Sequence, residues 1–145
     1  MTAKDLPEFD LDRYLPYRLT ALAARLSGEL AQRYKGEFGI SIPEWRVLVN
    51  VGYVENPSVR DIERRVNLDK SKVSRAAARL EARGLITKVV DPDDRRLVKL
   101  NLTDQGVDVL GRLIPIALSY QISLKAKLGE TEEALHAALD LLSED

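Results

Sequence analysis

The stretch that decides the fold is DKSKVSRAAARLEARG, residues 69–84. At about 100° per residue, Val73, Ala77 and Leu80 fall on one side of a helix and predict its buried stripe. The opposite side carries hydroxyls and cations, which are Ser71, Lys72, Ser74, Arg75, Arg79 and Arg83. Arginine can bond bidentately to guanine in a major groove, so this face predicts a DNA-recognition helix. The alternative is an ordinary solvated basic face.

The segments on either side of this helix support the DNA interpretation. Residues 58–61, SVRD, start a short helix that ends near Val66, and Asp69 is a good N-cap for the helix that follows. Beyond Gly84 the pattern changes to two β-rich runs around the charged turn DPDDRR, residues 91–96. Two short helices, a tight turn and a hairpin predict a helix-turn-helix followed by a wing.

Longer helices are predicted on the N-terminal side of this unit. Leucines and aromatic residues recur at three- and four-residue steps over residues 15–38, with Pro16 in the first turn. Residues 41–44, SIPE, form a capping box that starts a second helix, which runs to about Tyr53. The first of these helices is a candidate for a dimer interface, together with the helices that follow the hairpin.

Two more helices are predicted after the hairpin. Thr103 caps a helix that runs to about Leu128 and ends at Gly129, and a last helix follows over residues 131–142. These helices carry more apolar surface than one small motif can cover, which predicts a homodimer. The alternative is a self-contained helical bundle.

The charges of the chain are segregated. The chain of 145 residues has 22 Lys and Arg against 23 Asp and Glu, a formal net charge of −1. Residues 60–99 hold 12 of the positive and 7 of the negative side chains, so this segment carries +5 and the remainder −6. A basic middle between acidic flanks favours binding to a polyanion, and the overall charge conceals it.

The composition excludes several classes of protein. The chain has no cysteine and one histidine, His136, so we predict no metal site, no cofactor and no cysteine-based oxidation sensing. We find no nucleophile–base pair and no phosphate-cradling glycine loop, so we predict that it is not an enzyme. The longest uninterrupted apolar run is residues 113–118, which is too short to span a membrane. The first residues lack the charged-then-apolar pattern of a signal peptide, so we predict a cytoplasmic protein with no membrane partner.

Three motifs give the chain a close resemblance to the MarR family of winged-helix regulators: LDKSKVSR (68–75), LEARGLI (80–86) and DPDDRR (91–96). The resemblance implies a mainly α fold with a small β-hairpin wing in a single domain, residues 1–145. The winged helix-turn-helix would span residues 41–102, flanked by dimerisation helices over residues 11–38 and 103–145.

The resemblance also implies a function. The chain would be a homodimeric transcription factor, usually a repressor, that binds a pseudo-palindromic operator in double-stranded DNA with half-sites ~10 bp apart. The DNA-binding residues would be Ser58, Lys70, Ser71, Lys72, Ser74, Arg75, Arg79, Arg95 and Arg96. The family's wing pattern often has arginine where this chain has Asp93, so we expect Arg95 to enter the minor groove and Arg96 to be structural.

Members of this family often bind a small, commonly aromatic, anionic effector, such as an aromatic acid or its CoA thioester. The candidate effector-binding residues are Tyr14, Tyr17, Arg18, Trp45, Arg46 and Tyr120. Arg18 and Arg46 stand among apolar and aromatic neighbours, where a carboxylate or phosphate would suit them. Alternatively, these residues belong to the core and the dimer interface. The remaining alternatives are a DNA-binding protein without an effector and a module whose basic face meets an acidic protein.

Overall fold

The computed structural model of the chain describes residues 5–66 and 68–144. The elements in chain order are α1 (Leu15–Phe38), α2 (Ile42–Tyr53), α3 (Val59–Arg65), α4 (Lys70–Ala82), β1 (Ile86–Val90), β2 (Val98–Leu102), α5 (Asp104–Leu128) and α6 (Glu132–Ser143). This order confirms the prediction of a mainly helical fold with one β-hairpin.

The boundary between α1 and α2 differs from the predicted capping box in one respect. Helix α1 ends at Gly39, whose φ of +62° is a left-handed conformation that favours glycine. The Ser41 hydroxyl then caps α2 by accepting from the Glu44 amide at 3.3 Å. The Glu44 carboxylate accepts from the Ser41 hydroxyl at 2.8 Å instead of returning to the Ser41 amide, because it faces α4. Only half of the predicted box is therefore formed.

The start of α3 shows the complete capping box. The Asp61 carboxylate accepts from the Ser58 amide at 2.9 Å, and the Ser58 hydroxyl accepts from the Asp61 amide at 3.1 Å. These bonds lower the pKa of Asp61. Asp69 occupies the N-cap position of α4 as predicted, but its side chain makes no capping bond there. It lies instead 4.0 Å from the Lys72 ammonium.

The hairpin is antiparallel, with Ile86 opposite Leu102 and Val90 opposite Val98. The middle of β2 is attached to the segment just before α3, since the Leu100 amide donates to the Pro57 carbonyl at 3.1 Å. Because of this attachment, the wing stands beside α3 and α4.

The core lies beneath α4 and is closed by α1, α2, the hairpin and α5. Its fully buried side chains include Tyr34, Leu48, Ile62, Leu80 and Leu113, which come from five different helices. The Tyr34 hydroxyl is buried with no hydrogen-bond partner among the described residues, and burial raises its pKa to about 12. One continuous core therefore ties the basic helix to the longer helices.

The first turn of α5 is fastened to the turn between α4 and β1. The Thr103 amide donates to the Leu85 carbonyl at 3.0 Å, and the Thr103 hydroxyl donates to the Gly84 carbonyl at 2.6 Å. Gly106 lies so close that an added Cβ would be 2.0 Å from the Leu85 oxygen. Glycine is therefore required where α5 meets the start of the wing.

The C-terminal helices expose a long apolar surface. Its exposed members are Val107, Leu118, Ile122, Leu135, Leu139, Leu141 and Leu142. By length and composition alone the stretch Asp104–Ser143 could cross a membrane, and 17% of its most apolar window is buried. The sequence analysis predicted no membrane span because it searched for a long uninterrupted apolar run. In residues 104–143 the apolar runs are short and polar residues separate them. Exposed apolar side chains in this number on two helices are typical of a surface that another chain covers.

Candidate nucleic-acid interface

Helix α4 presents the face that the sequence predicts. Val73, Ala76, Ala77 and Leu80 are buried against the core. The other side is exposed, and its members are Lys70, Ser71, Lys72, Ser74 and Arg75. The helix thus offers donors of hydrogen bonds and positive charge to a partner outside the chain.

Arg75 is available for an external contact. Its side chain is exposed, and within residues 5–66 and 68–144 it takes part in no hydrogen bond or ion pair. The Lys72 ammonium lies 4.0 Å from the Asp69 carboxylate, and both side chains are largely exposed. An ion pair of this kind holds the lysine weakly. A guanidinium without an internal partner can use its full set of donors on a base edge.

Two predicted DNA contacts have partners inside the protein. Ser58 is 1% exposed, and its hydroxyl and its amide are both engaged in the capping box of α3. Arg79 places its Nε 3.6 Å from a Glu44 carboxylate oxygen and is therefore held toward α2. We correct the predicted interface by removing Ser58, which is buried. Arg79, whose side chain is 51% exposed, stays a predicted DNA contact that also faces Glu44.

The wing separates its two arginines. Arg96 donates from Nε and Nη2 to the two oxygens of Asp94, at 3.0 and 3.2 Å, which lowers the pKa of Asp94. Asp91 accepts from the amides of Asp93 and Asp94 and so closes the turn. Arg95 is exposed, and the described part of the chain holds no hydrogen-bond or ion-pair partner for its side chain. The expected pairing of Arg96 is thus present, and Arg95 is the free cation at the tip.

A basic cleft of about 310 Å³ opens between α3, α4 and the wing. It brings the predicted residues Lys70, Ser74 and Arg96 together with Arg60 and Lys88. Arg60 and Lys88 were not named as site residues from the sequence. The signal for Arg60 is its position in the first turn of α3, within the basic segment of residues 60–99. Lys88 lies 3.7 Å from Glu81, so part of its charge is balanced within the chain.

The predicted effector residues do not converge on one cavity. Tyr14 packs on Phe9 at 5.1 Å between ring centroids, and Tyr17 and Arg18 are exposed. The Trp45 ring lies 4.8 Å from that of Tyr34, on the core.

Tyr120, the most distant of these residues along the chain, is buried between α5 and α1. Its hydroxyl donates to Glu29 at 2.5 Å, and the Arg33 guanidinium lies 5.0 Å from its ring centroid. These contacts give Tyr120 a role in holding α5 on α1.

Arg46 is the predicted effector residue that borders a cleft. Its guanidinium donates to the Val66 carbonyl at 3.2 Å and to the Ser27 hydroxyl at 3.1 Å. Both partners are neutral, and Arg46 forms no ion pair with any residue that the structure describes. The cleft measures about 410 Å³ and is lined by Leu19, Thr20, Ala23, Ala24, Ser27 and Arg46. It combines an apolar wall with one positive charge, a combination that suits a small apolar anion.

Comparison with known sequences gives a consistent result. The sequence profile of the MarR family matches residues 38–97, which include α2, α3, α4, β1 and the wing turn. The HTH-type transcriptional regulator BilQ of Clostridioides difficile is 30% identical over 99 residues, which cover 65% of this chain and 67% of that protein. BilQ and the members of the matching family are transcriptional regulators, not enzymes.

Solved structures agree with the sequence comparison. A MarR/EmrR family transcriptional regulator from Acinetobacter sp. ADP1 is 29% identical with a TM-score of 0.78, covering 92% of each chain. The PcaV transcriptional regulator from Streptomyces coelicolor, solved with its natural ligand, is 29% identical with a TM-score of 0.72. That comparison covers 92% of this chain and 94% of PcaV.

Proposed function

The chain belongs to the MarR family of DNA-binding transcriptional regulators, and from this premise we propose that it is a homodimeric, ligand-responsive repressor. In this proposal residues 41–102 bind DNA, residues 11–38 and 103–145 form the dimer, and the protein works in the cytoplasm without a membrane partner. A small anionic effector, such as an aromatic acid or its CoA thioester, modulates its affinity for DNA.

The observation that carries the proposal is the unpartnered guanidinium of Arg75 on the exposed face of α4. Ser71 and Ser74 flank it, and Lys70 lies at the start of the helix, where backbone amides also favour a phosphate. In this arrangement Arg75 reads a base edge and Lys70 neutralises the DNA backbone. The free Arg95 at the wing tip lies within the same basic segment and supplies a minor-groove contact.

A mobility-shift titration against the DNA upstream of the gene, at 50 and 200 mM salt, tests this proposal. We expect preference over random duplex and a loss of affinity of about 10³-fold or more between the two salts. An equal affinity for operator and random duplex would reject sequence-specific binding. Weak binding to DNA at both salts, together with retention of an acidic protein, would favour the alternative of a protein-interaction module.

The wing arginines give a prediction within the same assay. Arg95→Ala should weaken binding several-fold and evenly across operator variants, because a minor-groove contact is largely insensitive to base identity beyond A·T against G·C. Arg96→Ala should have a smaller direct effect on DNA and should release Asp94, whose carboxyl pKa then returns toward its ordinary value. NMR titration of the Asp94 carboxyl measures this change. A larger loss of DNA affinity for Arg96→Ala than for Arg95→Ala would contradict the assignment.

The proposed dimer is supported by the apolar surfaces of the outer helices. On α5 and α6, Leu118, Ile122, Leu139 and Leu142 are exposed in the single chain, and a second copy offers the same surface to cover them. Two recognition helices related by a twofold axis would then meet successive major grooves of a pseudo-palindrome. Light scattering of the purified protein should give twice the mass of the chain. A monomer that still shows operator preference would overturn this part of the proposal.

The proposed effector site is the cleft at Arg46. Among the described residues the partners of its guanidinium are neutral oxygens, so an incoming carboxylate would form an ion pair that those residues do not supply. The likeness to PcaV, which was solved with its natural ligand, supports a ligand-responsive regulator. Aromatic acids and their thioesters should be added to the mobility-shift assay. If none releases DNA, a regulator without an effector is the better interpretation.

A further inference from the structure

The Glu44 carboxylate lies between two arginines of α4 and is almost withdrawn from solvent. Its side chain is 8% exposed, whereas those of Arg79 and Arg83 are 51% and 41% exposed. One oxygen lies 3.6 Å from Arg79 Nε and accepts from the Ser41 hydroxyl, and the other lies 3.5 Å from Arg83 Nη1. A carboxylate so placed needs these partners, since a buried charge without them is strongly unfavourable.

Arg83 extends this cluster to a third helix. Its Nη2 donates to the Phe38 carbonyl at 3.0 Å and its Nη1 to the Gly39 carbonyl at 3.3 Å. These are carbonyls at the end of α1, which have no partner within that helix and favour a nearby cation. One guanidinium therefore joins the C-terminal end of α1, the first turn of α2 and the C-terminal end of α4.

The cluster matters because the other buried residues of α2 and α4 are apolar, and apolar packing is not directional. The buried residues of α4 are Val73, Ala76, Ala77 and Leu80, and the two alanines allow close approach of a neighbouring helix. Arg75, Arg79 and Arg83 follow one another at four-residue steps, so they share one ridge of the helix. A rotation or slide of α4 that breaks the Glu44 contacts therefore moves Arg75 by a similar amount.

We infer that Glu44, with Arg79 and Arg83, sets the position of α4 relative to α1 and α2, and that it is a positioning residue for base recognition. The inference rests on the proposed DNA-binding function. It assigns a part in recognition to a negatively charged side chain that does not touch DNA.

The test is Glu44→Gln, which keeps the size of the side chain and its ability to accept from Ser41. Operator and random-duplex affinities and the thermal unfolding midpoint are measured together. We expect operator affinity to fall about tenfold while random-duplex affinity holds or rises, because a displaced helix loses base contacts and the removed charge was repulsive to DNA. If the role of Glu44 is purely electrostatic, operator affinity should rise instead of falling. Removing a carboxylate next to Arg79 would then increase the affinity for operator and for random duplex alike.

Glu81→Gln is the matched control. It removes one negative charge from α4, at a residue that pairs with Lys88 of β1 and does not contact α1 or α2 through an ion pair. This variant should leave the operator preference unchanged. Arg83→Met provides a second route: the double variant with Glu44→Gln should lose less operator preference than the sum of the two single losses, because both substitutions act on one junction.

The outcomes separate the inference from the function on which it rests. Unchanged operator preference in Glu44→Gln, in a wild-type background that shows preference, would overturn the inference and leave the proposed function intact. Equal losses for operator and random duplex, or a loss that merely follows a fall in folded fraction, would overturn it as well. A wild-type protein without operator preference would reject both.

Discussion

Replacing Arg75 by alanine should remove base discrimination at one position of each half-site. A bidentate arginine–guanine contact contributes about 1–3 kcal/mol of discrimination between bases. The ratio of affinities for the preferred base and for another base at that position should therefore fall roughly 5- to 150-fold. The reason is that Arg75 is exposed on α4 and that the chain gives its guanidinium no partner among the residues described. Affinities for a set of operators substituted one base pair at a time would measure the effect.

Lys70→Ala is the matched control for this variant, because it removes one positive charge from the same face. Lys70 is placed to contact phosphate, so its loss should weaken binding to every operator variant alike and lower the salt slope by about one. If Arg75→Ala shows that same uniform pattern, Arg75 binds the DNA backbone and another residue of α4 reads the base.

The second large effect is expected for Gly106→Ala. The added methyl carbon would lie 2.0 Å from the Leu85 carbonyl oxygen, and that oxygen is backbone already fixed by the Thr103 amide. The helix or the turn must move, and such overpacking costs about 1–3 kcal/mol, here near the upper end because no side chain can rotate away. Denaturant unfolding would measure the loss, and a shift of α5 against the wing should also lower operator affinity.

Gly111→Ala provides the control on the same helix. An added Cβ at Gly111 meets nothing within 4 Å, so the substitution should stabilise α5 by roughly 0.5–1 kcal/mol through helix propensity. The two glycine variants are therefore expected to change the free energy of unfolding in opposite directions. A stable, operator-binding Gly106→Ala protein would mean that the turn at Leu85 tolerates displacement.

The sequence predicted the elements well, because they depend on local patterns. The buried stripe of Val73, Ala77 and Leu80 is visible as helical spacing, and the ends of α1 and α5 coincide with Gly39 and Gly129. The complete capping box at Ser58 and Asp61 was also readable from four consecutive residues. The box did not show that Ser58 is buried, because that depends on the pairing of residues 57 and 58 with β2, which lies far along the chain.

Contacts between distant segments were beyond the reach of pattern reading. Residues 41–44 match a capping box equally well whether or not the Glu44 carboxylate accepts from the Ser41 amide, and only the packing of α2 on α4 decides this. For the same reason the contact of Arg79 with Glu44 could not be predicted from the helical angle of Arg79. The candidate effector residues were grouped by chemistry, but Tyr14, Trp45 and Tyr120 find separate partners in Phe9, Tyr34 and Glu29.

The exposed apolar face of α5 and α6 links folding to assembly through mass action. In the proposed dimer much of this face becomes buried only when two chains associate. Part of the free energy that stabilises the folded chain therefore comes from dimerisation. The unfolding midpoint should then rise with protein concentration, as a second-order equilibrium requires. A chain diluted far below its dimer dissociation constant would lose both its partner and a share of its own stability, which makes the amount of protein in the cell part of the regulatory circuit.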